Sequence, residues 1–123
     1  MSSAAEVVNL ERKLAQFDEH WKPKVVAELN GQQVKLVKFL GEFVWHFHEH
    51  EDELFWVLEG RLRMEFRDRH VWVGPGELIV VPRGIEHRPC ADEEVHVALF
   101  EPATTLNTGN VVNERTVPRL ERI

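Results

Sequence analysis

Short apolar runs separated by turn residues occupy the chain from residue 24 to residue 100, and they constrain its fold more than any other feature. About eight or nine such runs follow one another, with no helix-length segment between them. Parallel strands need crossover connections, usually helices, so a parallel βαβ sheet is excluded. The sequence therefore predicts an all-β antiparallel fold, either a closed barrel or a jelly roll.

Two turn pairs predict hairpins within this region. Asn30-Gly31 lies between two apolar runs, residues 24–29 and 32–40, and Asn-Gly in that position is typical of a tight two-residue turn. Glu59-Gly60 joins residues 54–58 to residues 61–66 in the same way. Near the end of the region we expect a turn at residues 91–94 that separates two strands.

The segments that flank the strands are less regular. Residues 9–21 read as an amphipathic helix with Asn9 as its N-cap, ended by Pro23. Residues 101–123 form an arm that is too long for a simple overhang, and we expect it to wrap the barrel or a partner subunit. At 123 residues the chain is expected to form one domain, 1–123, with its barrel core at about residues 25–100.

Composition and charge exclude several classes of function. The formal charge of −6, with Lys and Arg spread along the chain, argues against nucleic-acid binding. No apolar run approaches the roughly 18 residues of a membrane span, and the first residues lack the pattern of a secretory signal. We therefore expect a cytoplasmic protein. The single cysteine, Cys90, is expected to be a small buried residue.

A candidate metal site begins at His46 and His48. The two residues are two positions apart, so on an extended strand both imidazoles leave the same face. Glu53 opens the next apolar run and can return a carboxylate to them, and His87 supplies a fourth donor. The alternative is that these are polar residues of an acidic surface loop, which suits neighbours such as His50 better than the whole quartet.

These residues resemble the paired motifs of the cupin superfamily, small β-barrels that hold one divalent metal. His46-x-His48-x4-Glu53-x6-Gly60 fits the first motif, although Gly41 stands one residue too close to His46. The second motif is matched position by position, with Ala91 where the family often has Asn; it reads Gly76-x5-Pro82-x-Gly84-x2-His87. The resemblance covers about residues 25–100 and implies a cupin-type barrel, a double-stranded β-helix, with His46, His48, Glu53 and His87 as metal ligands.

Three imidazoles and one carboxylate suit Fe(II), Mn(II), Ni(II), Co(II) or Zn(II), and suit Ca(II) or Mg(II) poorly. Four protein ligands on an octahedral ion leave two positions for a substrate, which favours chemistry over a purely structural site. His50 is the preferred candidate for proton transfer, ahead of Glu42 and Glu49, although each also suits a solvated loop. Lys35 and Arg83 could anchor an anionic substrate, but a solvated side chain is the simpler expectation.

The apolar pattern also bears on assembly. If Glu53 faces inward, alternation sends Phe55 inward as well and sends Leu54, Trp56 and Leu58 outward. That outer face needs a cover, either the N-terminal helix or a second subunit, and we favour a homodimer.

Two functions remain open from the sequence. The first is a metal-dependent enzyme for a small organic molecule, of the isomerase, lyase or dioxygenase type; the second is a non-catalytic metal-assisted binding or sensing protein. Many small cupins of this kind carry a mannose-6-phosphate isomerase-like label. That label rests on similarity of the barrel, and no phosphate-binding cluster stands out here.

Overall fold

The computed structural model describes residues 5–123. One short helix and eight strands make up its regular structure: α1 Leu10–Leu14, β1 Lys24–Leu29, β2 Gln32–Glu42, β3 Glu53–Glu59, β4 Leu62–Phe66, β5 His70–Val73, β6 Leu78–Val81, β7 His87–Pro102 and β8 Glu121–Arg122. Within these residues, no helix has the length and apolar character that crossing a membrane requires.

The strands form a jelly roll organised around β7. Neighbouring strands follow the order β5-β4-β7-β2-β1-β8, and β3 pairs with both β6 and β7. The first part of β7 pairs with β4, and the remainder lies between β2 and β3. All of these pairings are antiparallel except that of β8 with β1. The predicted all-β antiparallel jelly roll with a short N-terminal helix is therefore confirmed.

The β1–β2 hairpin forms at Asn30-Gly31, as the sequence predicts. Both turn residues have positive φ angles, 53° and 78°, and Leu29 pairs directly with Gln32. A two-residue turn with positive φ at both positions matches the right-handed twist of the strands, which explains the Asn-Gly preference.

The N-terminal helix is much shorter than predicted. Asn9 does cap it, accepting a hydrogen bond from the Arg12 amide at 2.9 Å, but the helix ends at Leu14 instead of near residue 21. The reason is tertiary packing. Phe17 packs outside the sheet, whereas Trp21 belongs to the core inside the barrel, and one helical face could not serve both places.

The turn predicted at residues 91–94 is wrong, because β7 runs unbroken through it. Phe39 pairs with Val95 and Gly41 with Ala91, so two steps on β2 match four on β7. Residues 92–94 bulge outward into solvent, where their acidic side chains are exposed. A polar segment that resembles a turn is therefore an irregularity within one long strand.

The hydrophobic core fills the barrel interior. On β3, Phe55 and Val57 are buried whereas Trp56 is 47% exposed, so the predicted alternation holds. A second, smaller cluster joins α1 to the outer face of the sheet through Leu14, Phe17, Leu36 and Ala98. The helix thus covers only part of the outer apolar surface.

Candidate metal centre

Four polar side chains converge inside one end of the barrel. His46, His48, Glu53 and His87 are each less than 5% exposed, and one donor atom from each lies within 4.8 Å of the others. The four residues that the sequence predicts to meet are therefore brought together.

Backbone pairing between separate segments holds the histidines. Glu53 begins β3 and His87 begins β7. His46 and His87 exchange two backbone hydrogen bonds, 3.1 and 2.9 Å long, in an isolated β-bridge. The extended strand expected around His46 is thus reduced to this bridge, and the His48 carbonyl is bound separately by the Gly84 amide at 2.8 Å.

Two of the imidazoles are oriented by carbonyl oxygens. His46 Nδ1 donates to the Val44 carbonyl at 2.9 Å, and His87 Nδ1 donates to the Ile85 carbonyl at 2.8 Å. Because a carbonyl only accepts, each ring carries its proton on Nδ1 and keeps a lone pair on Nε2. This tautomer leaves Nε2 free to bind a cation, with the ring direction already fixed.

Several donor atoms of the cluster have no hydrogen-bond partner within the described residues. They are His48 Nδ1 and Nε2, Glu53 Oε1 and His87 Nε2. Glu53 Oε1 lies 3.2 Å from His48 Nε2 and 3.6 Å from His87 Nε2. Each buried polar atom without a partner destabilises the fold by about 1–3 kcal/mol. Four such atoms in one cluster therefore need an explanation. A divalent transition-metal ion fits this donor set and would satisfy these lone pairs.

The protonation states also suit a cation. Burial, reinforced by the nearby His87, lowers the pKa of His46 to about 4, so the ring is neutral at neutral pH. Burial alone would raise the pKa of Glu53, but its neighbours Glu101, His48 and His87 outweigh that effect and hold the pKa well below its usual range. Neutral imidazole and ionised carboxylate are the forms that bind metals.

The structure adds Glu101, which the sequence does not single out, and it buries Lys35, which was expected to be solvated. Glu101 is 2% exposed, lies against Glu53 and accepts a hydrogen bond from the Lys35 ammonium at 2.5 Å. Lys35 is 1% exposed, so the expectation of a solvated lysine is wrong. Burial and the charge of Glu53 raise the pKa of Glu101 well above its usual value, and the neighbouring Lys35 ammonium opposes that shift.

A signal for Glu101 is present in the sequence. Val97, Leu99 and Glu101 alternate along β7, and all three side chains are buried. From the sequence, residue 101 is assigned to the C-terminal arm, so the series of inward-facing residues on this strand ends at Leu99 and Glu101 is missed.

The other candidates lie at the surface. The side chain of His50 is 80% exposed and its Nε2 lies 3.9 Å from a carboxylate oxygen of Glu49, in a groove that His48 also lines. It is near the cluster but not part of it, and its proposed role in proton transfer stays a prediction. Arg83 pairs with Asp52 on the outside of the protein.

A small cavity leads to the cluster. Its volume is about 30 Å³, and His46, Glu53 and Glu101 form its polar side. The remainder of its wall is mostly apolar and is made by Trp21, Pro23, Val37, Phe39, Phe43, Phe55, Pro89 and Leu99, together with Asn107. The cavity has room for about one water molecule.

The C-terminal arm wraps the barrel of its own chain. The Phe47 amide donates to Asn110 Oδ1 at 2.8 Å, and the Asn110 amide donates to the Phe47 carbonyl at 3.0 Å. Gly109 lies so close that a Cβ atom there would be 2.2 Å from the Phe47 carbonyl oxygen. The arm therefore contacts the segment that carries His46 and His48.

An antiparallel jelly roll that gathers three imidazoles and one carboxylate at a buried point defines a class of small barrel proteins suited to holding a metal. The chain belongs to the cupin family, since the family model described as a cupin domain matches residues 29–101.

Solved structures agree with this assignment. A cupin-2 domain protein from Shewanella frigidimarina is 48% identical, with a TM-score of 0.77 over 78% of this chain and 94% of that one. A protein from Neisseria meningitidis is 33% identical, with a TM-score of 0.73 over 80% of this chain and all of the other (100%). The cupin-type barrel expected from the resemblance is thus confirmed.

Two curated relatives match shorter parts of the chain. The uncharacterized protein YdbB of Bacillus subtilis is 41% identical over 64 residues, which is 51% of this chain and 57% of that protein. The acireductone dioxygenase of Phaeosphaeria nodorum is 35% identical over 82 residues, which is 57% of this chain and 47% of the enzyme. The chain thus spans about half the length of these curated relatives.

Proposed function

We propose that this cupin is a metal-dependent enzyme acting on a small organic molecule. His46, His48, Glu53 and His87 would bind one divalent ion of Fe, Mn, Ni, Co or Zn. The observation that carries the proposal is the convergence of four buried donor groups, several of whose atoms have no protein partner within residues 5–123. When bound, the ion would supply Lewis-acid or redox chemistry to a substrate.

The residues of the chain would orient the reaction. The Val44 and Ile85 carbonyls fix two of the imidazoles, and Glu101, which is bound by Lys35, lies beside Glu53. The apolar cavity excludes bulk water from the side where His46 and Glu53 are accessible. We propose that His50, at the edge of the site, exchanges protons with solvent.

Among the reaction types, we favour dioxygenation. The acireductone dioxygenase relative supports this choice, although the match covers under half of that enzyme. Isomerase and lyase reactions at the same site stay predictions. The alternative is a non-catalytic protein that holds a small ligand through its metal; it is supported by the cavity lining, whose polar residues beyond the proposed ligands are Glu101 and Asn107.

The first experiment measures metal content. Wild-type protein is purified and analysed for bound metal beside His48→Ala and Glu53→Ala, with the exposed His50→Ala as matched control. We expect about one ion per chain in the wild type and in His50→Ala, and strongly reduced binding in the other two. The proposal is wrong if the purified wild type contains no metal and none of the five ions changes its melting temperature.

A second experiment separates the enzyme from the binding protein. Oxygen consumption of the Fe(II)-loaded protein is followed with panels of diketones, catechols and thiols. Turnover with one panel supports dioxygenation. Metal-dependent binding without oxygen uptake or any change in the ligand supports the non-catalytic alternative.

A further inference from the structure

Part of the cavity wall comes from residues outside the segment that the family model matches. The cupin match covers residues 29–101, whereas Trp21 and Pro23 precede it and Asn107 follows it. The barrel supplies the donor groups, and the two flanking segments supply part of the cavity wall.

Trp21 is held in place by stacking and by hydrogen bonds, although its backbone conformation is unfavourable. Its φ angle is 63°, in the left-handed region that a large side chain rarely adopts. Its indole stacks on Phe39 and Phe43, at centroid distances of 4.4 and 4.8 Å, and donates to the Leu40 carbonyl at 2.8 Å. Its backbone amide donates to the Lys38 carbonyl at 2.9 Å. Trp21 is therefore held in one orientation at the cavity wall.

Asn107 is held just as firmly from the other side. Its side-chain amide donates to the Arg115 carbonyl at 2.8 Å and accepts from the Val117 amide at 2.9 Å. The Arg115 guanidinium in turn lies 5.6 Å from the centre of the Trp21 ring. The two flanking segments thus meet over the cavity and brace one another.

We propose that Trp21 and Asn107 determine substrate size at this site. They keep the cavity beside His46 and Glu53 at about 30 Å³, which is room for a methyl-sized group. The substrate class that fits is a small molecule with two oxygen atoms for the metal and a short aliphatic substituent. A ligand with an aromatic substituent in the same place is rejected. This inference rests on the proposed function, because it assumes a metal at the four-residue cluster.

The test compares two chelating probes that differ only in size. Zn(II)-loaded protein is titrated calorimetrically with acetohydroxamate and with benzohydroxamate, and the ratio of the two Kd values is taken. We expect the wild type to bind acetohydroxamate more tightly, and Trp21→Ala to shift the ratio at least tenfold toward benzohydroxamate. Asn107→Ala should shift it in the same direction by a smaller factor.

Trp72→Ala is the matched control, since Trp72 is 42% exposed on β5 and does not line the cavity. Its ratio should stay within twofold of the wild-type value. If Trp21→Ala fails to fold, Trp21→Phe and Asn107→Ala decide the question. Full zinc loading with an unchanged ratio overturns the inference alone, whereas a wild type that binds no metal overturns the proposed function as well.

Discussion

Lys35 and Glu101 form an ion pair in the barrel interior, where neither charge is accessible to water. Breaking such a pair by removing one partner leaves the other charge buried, at a cost of about 3–5 kcal/mol. We expect Glu101→Ala to lower the free energy of unfolding by that amount, measured by urea denaturation. Removing both charges in Lys35→Met/Glu101→Leu should recover part of the loss.

Lys22→Ala is the control for this pair, because Lys22 meets Glu19 at 3.7 Å with both side chains half exposed. Exposed ion pairs contribute about 0–1 kcal/mol, so little change is expected. A double variant no more stable than Glu101→Ala would show that the buried charge is not the cause.

Cys90 gives a chemical test of the core. The side chain is 1% exposed, and burial raises the pKa of its thiol. Since the thiolate is the reactive form, we expect the folded protein to react with a disulfide reagent on the order of 100-fold more slowly than the urea-unfolded chain. Equal rates would place Cys90 outside the core.

For single residues, the sequence predicts those contacts that follow from the spacing of residues along the chain. His46 and His48 are two positions apart, so an extended backbone sends both imidazoles to one face, and the next strand begins with Glu53 and returns its carboxylate to them. The partner of Lys35 could not be predicted in this way, because Glu101 is distant from it in sequence. The two side chains meet only when β2 and β7 pair in the observed register. Such pairing depends on register, which single residues do not encode.

Among the elements, the C-terminal arm has the most testable role. A Cβ at position 109 would collide with the Phe47 carbonyl and come within 3.1 Å of His46 Cδ2, whereas one at Gly76 would meet nothing within 4 Å. Both glycines have positive φ, 56° and 80°, so their alanine variants share the backbone strain. We expect Gly109→Ala to cost about 1–3 kcal/mol more than Gly76→Ala.

The same variant should also weaken the metal site, because the displaced segment carries two of the proposed ligands. Zinc affinity, measured by competition with a chelator, should fall in Gly109→Ala and stay near the wild-type value in Gly76→Ala. Equal affinities in the two variants would mean that the arm stabilises the protein without positioning the histidines.

Elements that depend on local signals are predicted well, and those that depend on packing are not. The Asn30-Gly31 hairpin follows from the φ angles that its two residues tolerate. The early end of α1 and the continuity of β7 through residues 91–94 follow from contacts with distant strands. Helix periodicity and turn composition carry no information about such contacts. The predicted length of the helix and the predicted turn are therefore both wrong.

On the scale of the whole molecule, one apolar face remains exposed. Trp56 pairs with Leu78 across β3 and β6, and Val80 and Phe100 extend the same surface; each is at least 36% exposed. Helix α1 covers a different part of the sheet. We propose that a second copy of the chain packs here, as the homodimer favoured from the sequence, because a patch of this kind is unusual on a monomer.

Light scattering after gel filtration tests this assembly. We expect a dimer for the wild type and a monomer for the double variant Trp56→Glu/Val80→Lys, which places charges in the patch. Trp72→Glu, at a similarly exposed tryptophan outside the patch, should remain dimeric. A monomeric wild type at micromolar concentration would contradict the homodimer.

Strand β7 also bears on how the protein is made. Among the strands of this barrel it is the last long one to be synthesised, and β2, β3 and β4 all lack their main partner until then. Pairings between residues so distant in the chain form slowly. We therefore expect backbone amides throughout the barrel to gain protection from deuterium exchange together, after residue 102 has been synthesised, with no stable half-barrel before that moment.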